Sequence, residues 1–144
     1  MRIISWNYRG LGNPSEVRAL KKLLKSKCLD LVFLMETKLH LNDKKAKSIL
    51  SCGPLSHFYM IDCNINNGSR SGGLVVLWND CIQIEFLQSN NMLVDMYITS
   101  RNFNFAWYAT GFYGSPYHNQ KHLTCAAINN LYNSKKISQM AYFW

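Results

Sequence analysis

A chain of 144 residues with 16 Lys and Arg against 8 Asp and Glu carries a formal charge of +8, and 48% of it is hydrophobic. That length suits one domain, spanning residues 1–144, and the apolar fraction excludes a disordered polar tail. No apolar stretch nears the roughly 20 residues of a membrane helix, and Met1–Trp6 lacks the apolar segment of a secretory signal, so an intracellular protein is expected.

Five cysteines (Cys28, Cys52, Cys63, Cys81, Cys125) form no C-x-x-C pair. Their odd number and wide spacing argue against zinc and predict reduced, mostly buried thiols. The charge is concentrated: residues 1–50 hold 11 Lys and Arg against 4 Asp and Glu, the remainder 5 against 4. A basic first third can attract a phosphate backbone, although cationic helix exteriors also serve solubility.

In chain order, Arg2–Asn7 reads as a short strand followed by the loop Tyr8-Arg9-Gly10-Leu11-Gly12. Asn13, Pro14 and Glu16 mark a helix start, with Asn13 as cap and Glu16 three residues on. Val17, Leu20 and Leu24 give that helix an apolar face, opposed by Arg18, Lys21, Lys22 and Lys25, and it should end near Ser26-Lys27. Leu29–Met35 is apolar except for Asp30, as expected of a strand covered on both faces and completing a parallel β-α-β unit. Asn42–Leu50 is expected to be a second basic helix, His57–Cys63 a strand, and Asn64–Gly73 a polar loop.

Leu74–Trp78 reads as a strand ending at the turn Asn79-Asp80. Cys81–Leu87 and Val94–Thr99 alternate and should pair antiparallel across Ser89-Asn90-Asn91, with Glu85 and Asp95 outward. Phe105–Tyr113 is a further strand and Asn119–Tyr132 a helix. The apolar finish Ala141-Tyr142-Phe143-Trp144 suggests a domain cut short, since domains usually end on polar residues.

Few groups are placed for chemistry. Glu36 follows a buried strand, at the end where open α/β sheets gather ligands, and a carboxylate there needs a partner or a cation. Asn7 ends the first strand, where its carboxamide can bind a hard cation or fix a turn. If the two strands are parallel neighbours, Asn7 and Glu36 meet at one sheet edge. Arg70-Ser71-Gly72-Gly73 lacks the spacing of a phosphate-binding loop, and Tyr113-Gly114-Ser115-Pro116 marks a strand end where a phenol can reach a ligand. His40, His57, His118 and His122 form no ligand pair and are read as non-catalytic.

Four ordered blocks, Ile3-Ile4-Ser5-Trp6-Asn7 with Arg9-Gly10-Leu11-Gly12, Val32-Phe33-Leu34-Met35-Glu36-Thr37-Lys38, Arg70-Ser71-Gly72-Gly73-Leu74 and Thr110-Gly111-Phe112-Tyr113-Gly114, give the sequence its identity. Together they resemble the endonuclease/exonuclease/phosphatase (DNase I-like) superfamily, and most closely the apurinic-type endonuclease domain of plant non-LTR (LINE-type) retroelements. The resemblance implies an α/β fold, an incomplete DNase I-like four-layer sandwich covering about the first half of the domain. It also implies Mg2+-dependent hydrolysis of DNA phosphodiesters. By position, Glu36 would be a metal ligand, Asn7 would orient metal and phosphate, and Tyr113 would bond the scissile phosphate. Arg9, Lys38 and Arg70 are weaker expected nucleic-acid contacts. Tyr8 departs from the Cys common in related retroelements, which bears on packing.

The family's Gly-Asp-Phe-Asn and Ser-Asp-His blocks do not occur in these 144 residues. In the family the first positions the attacking water and the second supplies a histidine with its carboxylate. Residues that act as a unit lose most of their rate together, so an inactive, truncated domain is the expectation. Its implied partners are DNA, the reverse-transcriptase portion of a parent retroelement and, through exposed sheet, a second copy; a DNA-acting protein would be nuclear. Two alternatives stay open: a non-catalytic basic nucleic-acid-binding module, and a small-phosphoester phosphatase of the same superfamily.

Overall fold

Residues 3–35 form the β-α-β unit that their pattern predicts. In the computed structural model, which describes residues 1–44, 46–51, 53–101, 105–114, 119, 121–134 and 140–143, β1 (Ile3–Asn7) leads through α1 (Pro14–Lys27) to β2 (Leu31–Met35). The two strands pair in parallel, Ile3 opposite Leu31 and Asn7 opposite Met35. Asn13 caps α1 by accepting from the Ser15 backbone N–H at 3.0 Å, Pro14 occupies the first turn, and Cys28 ends the helix in a left-handed conformation.

A short helix α2 (Ala46–Leu50) precedes β3 (His57–Ile61), a two-stranded hairpin of β4 (Asn64–Asn66) and β5 (Ser69–Ser71), and β6 (Leu74–Trp78). Then come the long strands β7 (Ile82–Asn90), β8 (Leu93–Ser100) and β9 (Ala106–Phe112), helix α3 (Lys121–Ser134) and β10 (Met140–Phe143). The first sheet has order β1-β2-β6-β3 and the second β10-β9-β8-β7, with β10 parallel to β9.

Alternation along the strands builds the layers. Val32, Leu34, Val75 and Leu77 of the first sheet face Leu20 and Leu24 of α1 and Ile49 and Leu50 of α2. Leu31, Phe33, Met35, Leu74 and Val76 face Val94, Met96, Ile98 and Ala109 of the second sheet. On that sheet's outer side Leu93 and Phe112 pack on Leu131, Ala127 and Ile128 of α3. The result is helix, sheet, sheet, helix: the four-layer α/β sandwich expected, with both sheets four strands wide.

Several expectations need correcting. The second helix is only Ala46–Leu50, because the Asp43 carboxylate accepts from the His40 N–H at 2.9 Å and holds 40–43 in a turn. Asn64–Ser71 is a hairpin rather than a loop, since Asn67 and Gly68 both take positive φ, 50° and 79°, as a tight hairpin turn requires. The turn between β7 and β8 lies at Asn91-Met92, and a register shift falls between Phe86 and Gln88. Asp95 is buried rather than outward-facing: it is on the face covered by α3 and accepts from the Thr110 hydroxyl at 2.7 Å.

The described thiols are mostly exposed, only Cys63 being buried, because Cys28 ends a helix, Cys81 sits in a turn and Cys125 lies on an outer helix. Tyr8 is a packing residue: it is buried against Trp6 at 4.7 Å, and its hydroxyl donates to the Glu16 carbonyl. Lys45, Cys52, Ser115, Pro116, His118 and Trp144 lie outside the described residues.

Candidate active site

Glu36 follows the last residue of β2, and Asn7, the last residue of β1, stands opposite Met35 in the register. The parallel pairing therefore puts both at one sheet edge, as their positions in the sequence suggest. Glu36 has a positive φ of 56° and Lys38 one of 55°, a region an L-residue resists. Backbone bonds hold this segment from two sides. Tyr8 N–H donates to the Met35 carbonyl and Leu11 N–H to that of Thr37, both at 2.8 Å, while Thr37 and Lys38 N–H donate to Gly73 and Gly72 at 3.1 and 3.0 Å. Gly73 itself must be glycine, with φ 88° and the Thr37 hydroxyl 2.7 Å from where a Cβ would stand.

Tyr113 reaches this edge from the other sheet, where its hydroxyl donates to the Glu36 carboxylate. The approach depends on Gly111, two residues earlier on the same face of β9. A Cβ there would lie 2.5 Å from the ring of Phe33, so only glycine lets β9 close onto β2. The Tyr113 N–H, donating to the Met92 carbonyl at 2.7 Å, fixes the strand end. Glu36 and Tyr113 are half-buried and Asn7 is exposed; among the described residues, the donor to the carboxylate is Tyr113.

The other expected contacts are arranged differently. Arg70 is committed within the protein: its guanidinium grips the Asp43 carboxylate at 2.6 and 2.8 Å and donates to the Lys38 carbonyl at 3.2 Å. That guanidinium, with the His40 N–H, lowers the Asp43 pKa from 3.8 to about 2. Lys38 is half-buried, its methylenes lying against Gly10, and it borders a groove of about 350 Å3 with Leu11, Asp43, Lys44 and Arg70. Arg9 is exposed, with φ 51°.

Sequence reasoning missed Asp43 as the partner of Arg70 and Phe33 as the residue demanding Gly111. No local pattern marks either pair, which are 27 and 78 residues apart. Three of the histidines are described: His40 sits 3.4 Å from Asp62, His57 2.6 Å from Asp80, and His122 on α3 is exposed. Among the described residues no three His, Cys, Asp or Glu side chains gather as a metal cluster, and no helix is long and apolar enough to cross a membrane.

No known protein-family profile matches the chain, and no curated protein matches it by sequence. Solved structures do. The endonuclease domain of TRAS1, a telomere-specific non-LTR retrotransposon, superposes with a TM-score of 0.65 at 8% identity, covering 98% of this chain and 58% of that one. TDP2 of D. rerio, complexed with single-strand DNA product, gives 0.60 at 16% identity over 97% and 57%. The AP endonuclease LMAP from Leishmania major gives 0.54 at 19% identity over 78% and 40%. At such identities the likeness is one of fold, and the chain spans little more than half the length of the first two.

Proposed function

The chain has the DNase I-like fold of the endonuclease/exonuclease/phosphatase superfamily, and on that footing we propose that it is the cation-binding part of a retroelement-type, Mg2+-dependent DNA endonuclease domain. The observation that carries this reading is the bond from the Tyr113 hydroxyl to the Glu36 carboxylate, which joins the two sheets at the edge where Asn7 also ends its strand.

The donor chemistry suits a magnesium ion, which takes oxygen ligands, uses only one or two carboxylates and relies on water and substrate phosphate for the rest. Glu36 and Asn7 are the residues that would hold it. When bound, the cation neutralises charge developing on the phosphate during hydrolysis. Asn7 would orient a phosphate oxygen through its carboxamide, and Tyr113 would spend its one hydroxyl hydrogen either on Glu36, holding it in place, or, in exchange, on the phosphate.

These 144 residues contain neither a Gly-Asp-Phe-Asn nor a Ser-Asp-His block. In the superfamily those blocks orient and deprotonate the attacking water, so hydrolysis by this chain alone is expected to be near background. The substrate is DNA, the working location nuclear, and the parent assembly includes a reverse transcriptase. Unpaired strand edges favour self-association, which sedimentation at two concentrations measures.

Supercoiled plasmid incubated with this chain and Mg2+ should stay closed. Nicking that disappears in Glu36→Ala would overturn the inactivity, whereas equal nicking by both proteins would mark a contaminant. Calorimetric titration with Mg2+ should show binding that Glu36→Gln removes; binding unchanged by that substitution defeats the cation site itself.

A further inference from the structure

We infer that the outer face of α1 is a second contact surface for the phosphate backbone of nucleic acid, separate from the Glu36 edge and independent of metal. Arg18, Lys21, Lys22 and Lys25 stand at spacings that place them on one side of the helix, and together with Ser26 they line a shallow groove of about 470 Å3. No acid interrupts them, since the only carboxylate of α1 is Glu16 in its first turn. Among the described residues the ion pairs are His40–Asp62, His57–Asp80 and Arg70–Asp43, so none neutralises this row.

Ordinary solubility is served by interspersed signs, and the helix dipole rewards cations only in the last turn, where Lys25 and Lys27 lie. A cationic exterior also serves solubility, but an unbroken row such as Arg18, Lys21 and Lys22 exceeds what interspersed signs or the dipole call for. At about 1.5 Å per residue the row extends about 10 Å, over which one strand of a duplex presents about three phosphates. The charge spacing therefore suits a phosphate backbone.

The position is distinct from the candidate active site. Leu20 and Leu24 bury the inner face of α1 against the first sheet, so the cations point away from that sheet, whereas Glu36 meets Tyr113 across to the second. That burial also argues against a lipid surface, because a helix that inserts into a membrane interface needs its apolar face free.

The test is fluorescence anisotropy with a labelled 20-base-pair DNA duplex, a single-stranded RNA of the same sequence and vesicles rich in anionic lipid, all in EDTA. Duplex affinity should fall about 50-fold between 50 and 200 mM salt, from a slope near three released counterions, and somewhat less steeply for RNA. Arg18→Gln/Lys21→Gln/Lys22→Gln/Lys25→Gln should remove most of that slope and at least tenfold of the low-salt affinity. Arg101→Gln/Lys121→Gln, which removes charge elsewhere, should change neither. If circular dichroism shows the fourfold variant misfolded, Lys21→Gln/Lys22→Gln should still lower the slope by about two. An unchanged slope in the α1 variants, equal loss in the control, absence of nucleic-acid binding, or a preference for vesicles would each overturn the inference.

Discussion

Glu36 is held in a conformation that costs an L-residue about 1 kcal/mol or more, and what holds it is visible residue by residue. Backbone bonds from Tyr8, Leu11, Gly72 and Gly73 surround the segment, and the Tyr113 hydroxyl takes the carboxylate. Tyr113→Phe removes that donor while keeping the ring, so stability measured by urea unfolding should fall by about 1 kcal/mol. No change would mean that water serves the carboxylate equally well. Gly111→Ala forces a methyl onto the Phe33 ring and should cost about 3 kcal/mol. Combining it with Phe33→Leu should recover more than 1 kcal/mol relative to additive losses, as expected of residues that share one space; strict additivity would refute the contact.

Among the elements, the β4–β5 hairpin matters through what it carries. Arg70 on β5 grips Asp43 in the turn that replaces the expected start of α2, and so ties the hairpin to the 38–43 segment downstream of Glu36. Asp43 has its folded pKa lowered to about 2 from 3.8, so its contribution is complete above the higher value and disappears as pH falls through the lower. Because the Arg70 side chain is 39% exposed, solvent screening limits the contribution to about 1 kcal/mol. Denaturant unfolding at about pH 5 and about pH 2 should show wild type losing about that much more than Asp43→Asn between the two conditions. Equal losses would show the pair to be without weight.

For the molecule as a whole, four layers close over three apolar clusters even though the chain spans 58% of the TRAS1 endonuclease domain. A ligand that binds only the folded state raises its stability. If Mg2+ binds at Glu36 with a Kd of about 1 mM, ten times that concentration adds about 1.4 kcal/mol and raises Tm by about 4 °C. The shift should vanish in Glu36→Gln; a shift of equal size in both proteins would place the cation elsewhere.

Local chemistry was legible wherever it acts over a few residues. Asn13 and Pro14 started α1, alternation marked β7 and β8, and the uninterrupted apolar run of β2 announced a strand covered on both faces. The edge position of Glu36 and Asn7 was readable for the same reason, because a β-α-β unit makes its strands parallel and brings their carboxyl ends together. Other features were not readable. Asp95 alternates as an outward residue should, yet α3 covers that face, and strand periodicity cannot say whether a sheet has one buried side or two. Arg70 reads as a nucleic-acid contact until Asp43 is brought to it, and nothing local explains Gly111 until Phe33 fills the space beside it. The chain alone determines periodicity, caps and strand ends, which depend on neighbours in sequence; only tertiary packing decides which charges are neutralised and which faces are covered, because those depend on residues that meet across two sheets.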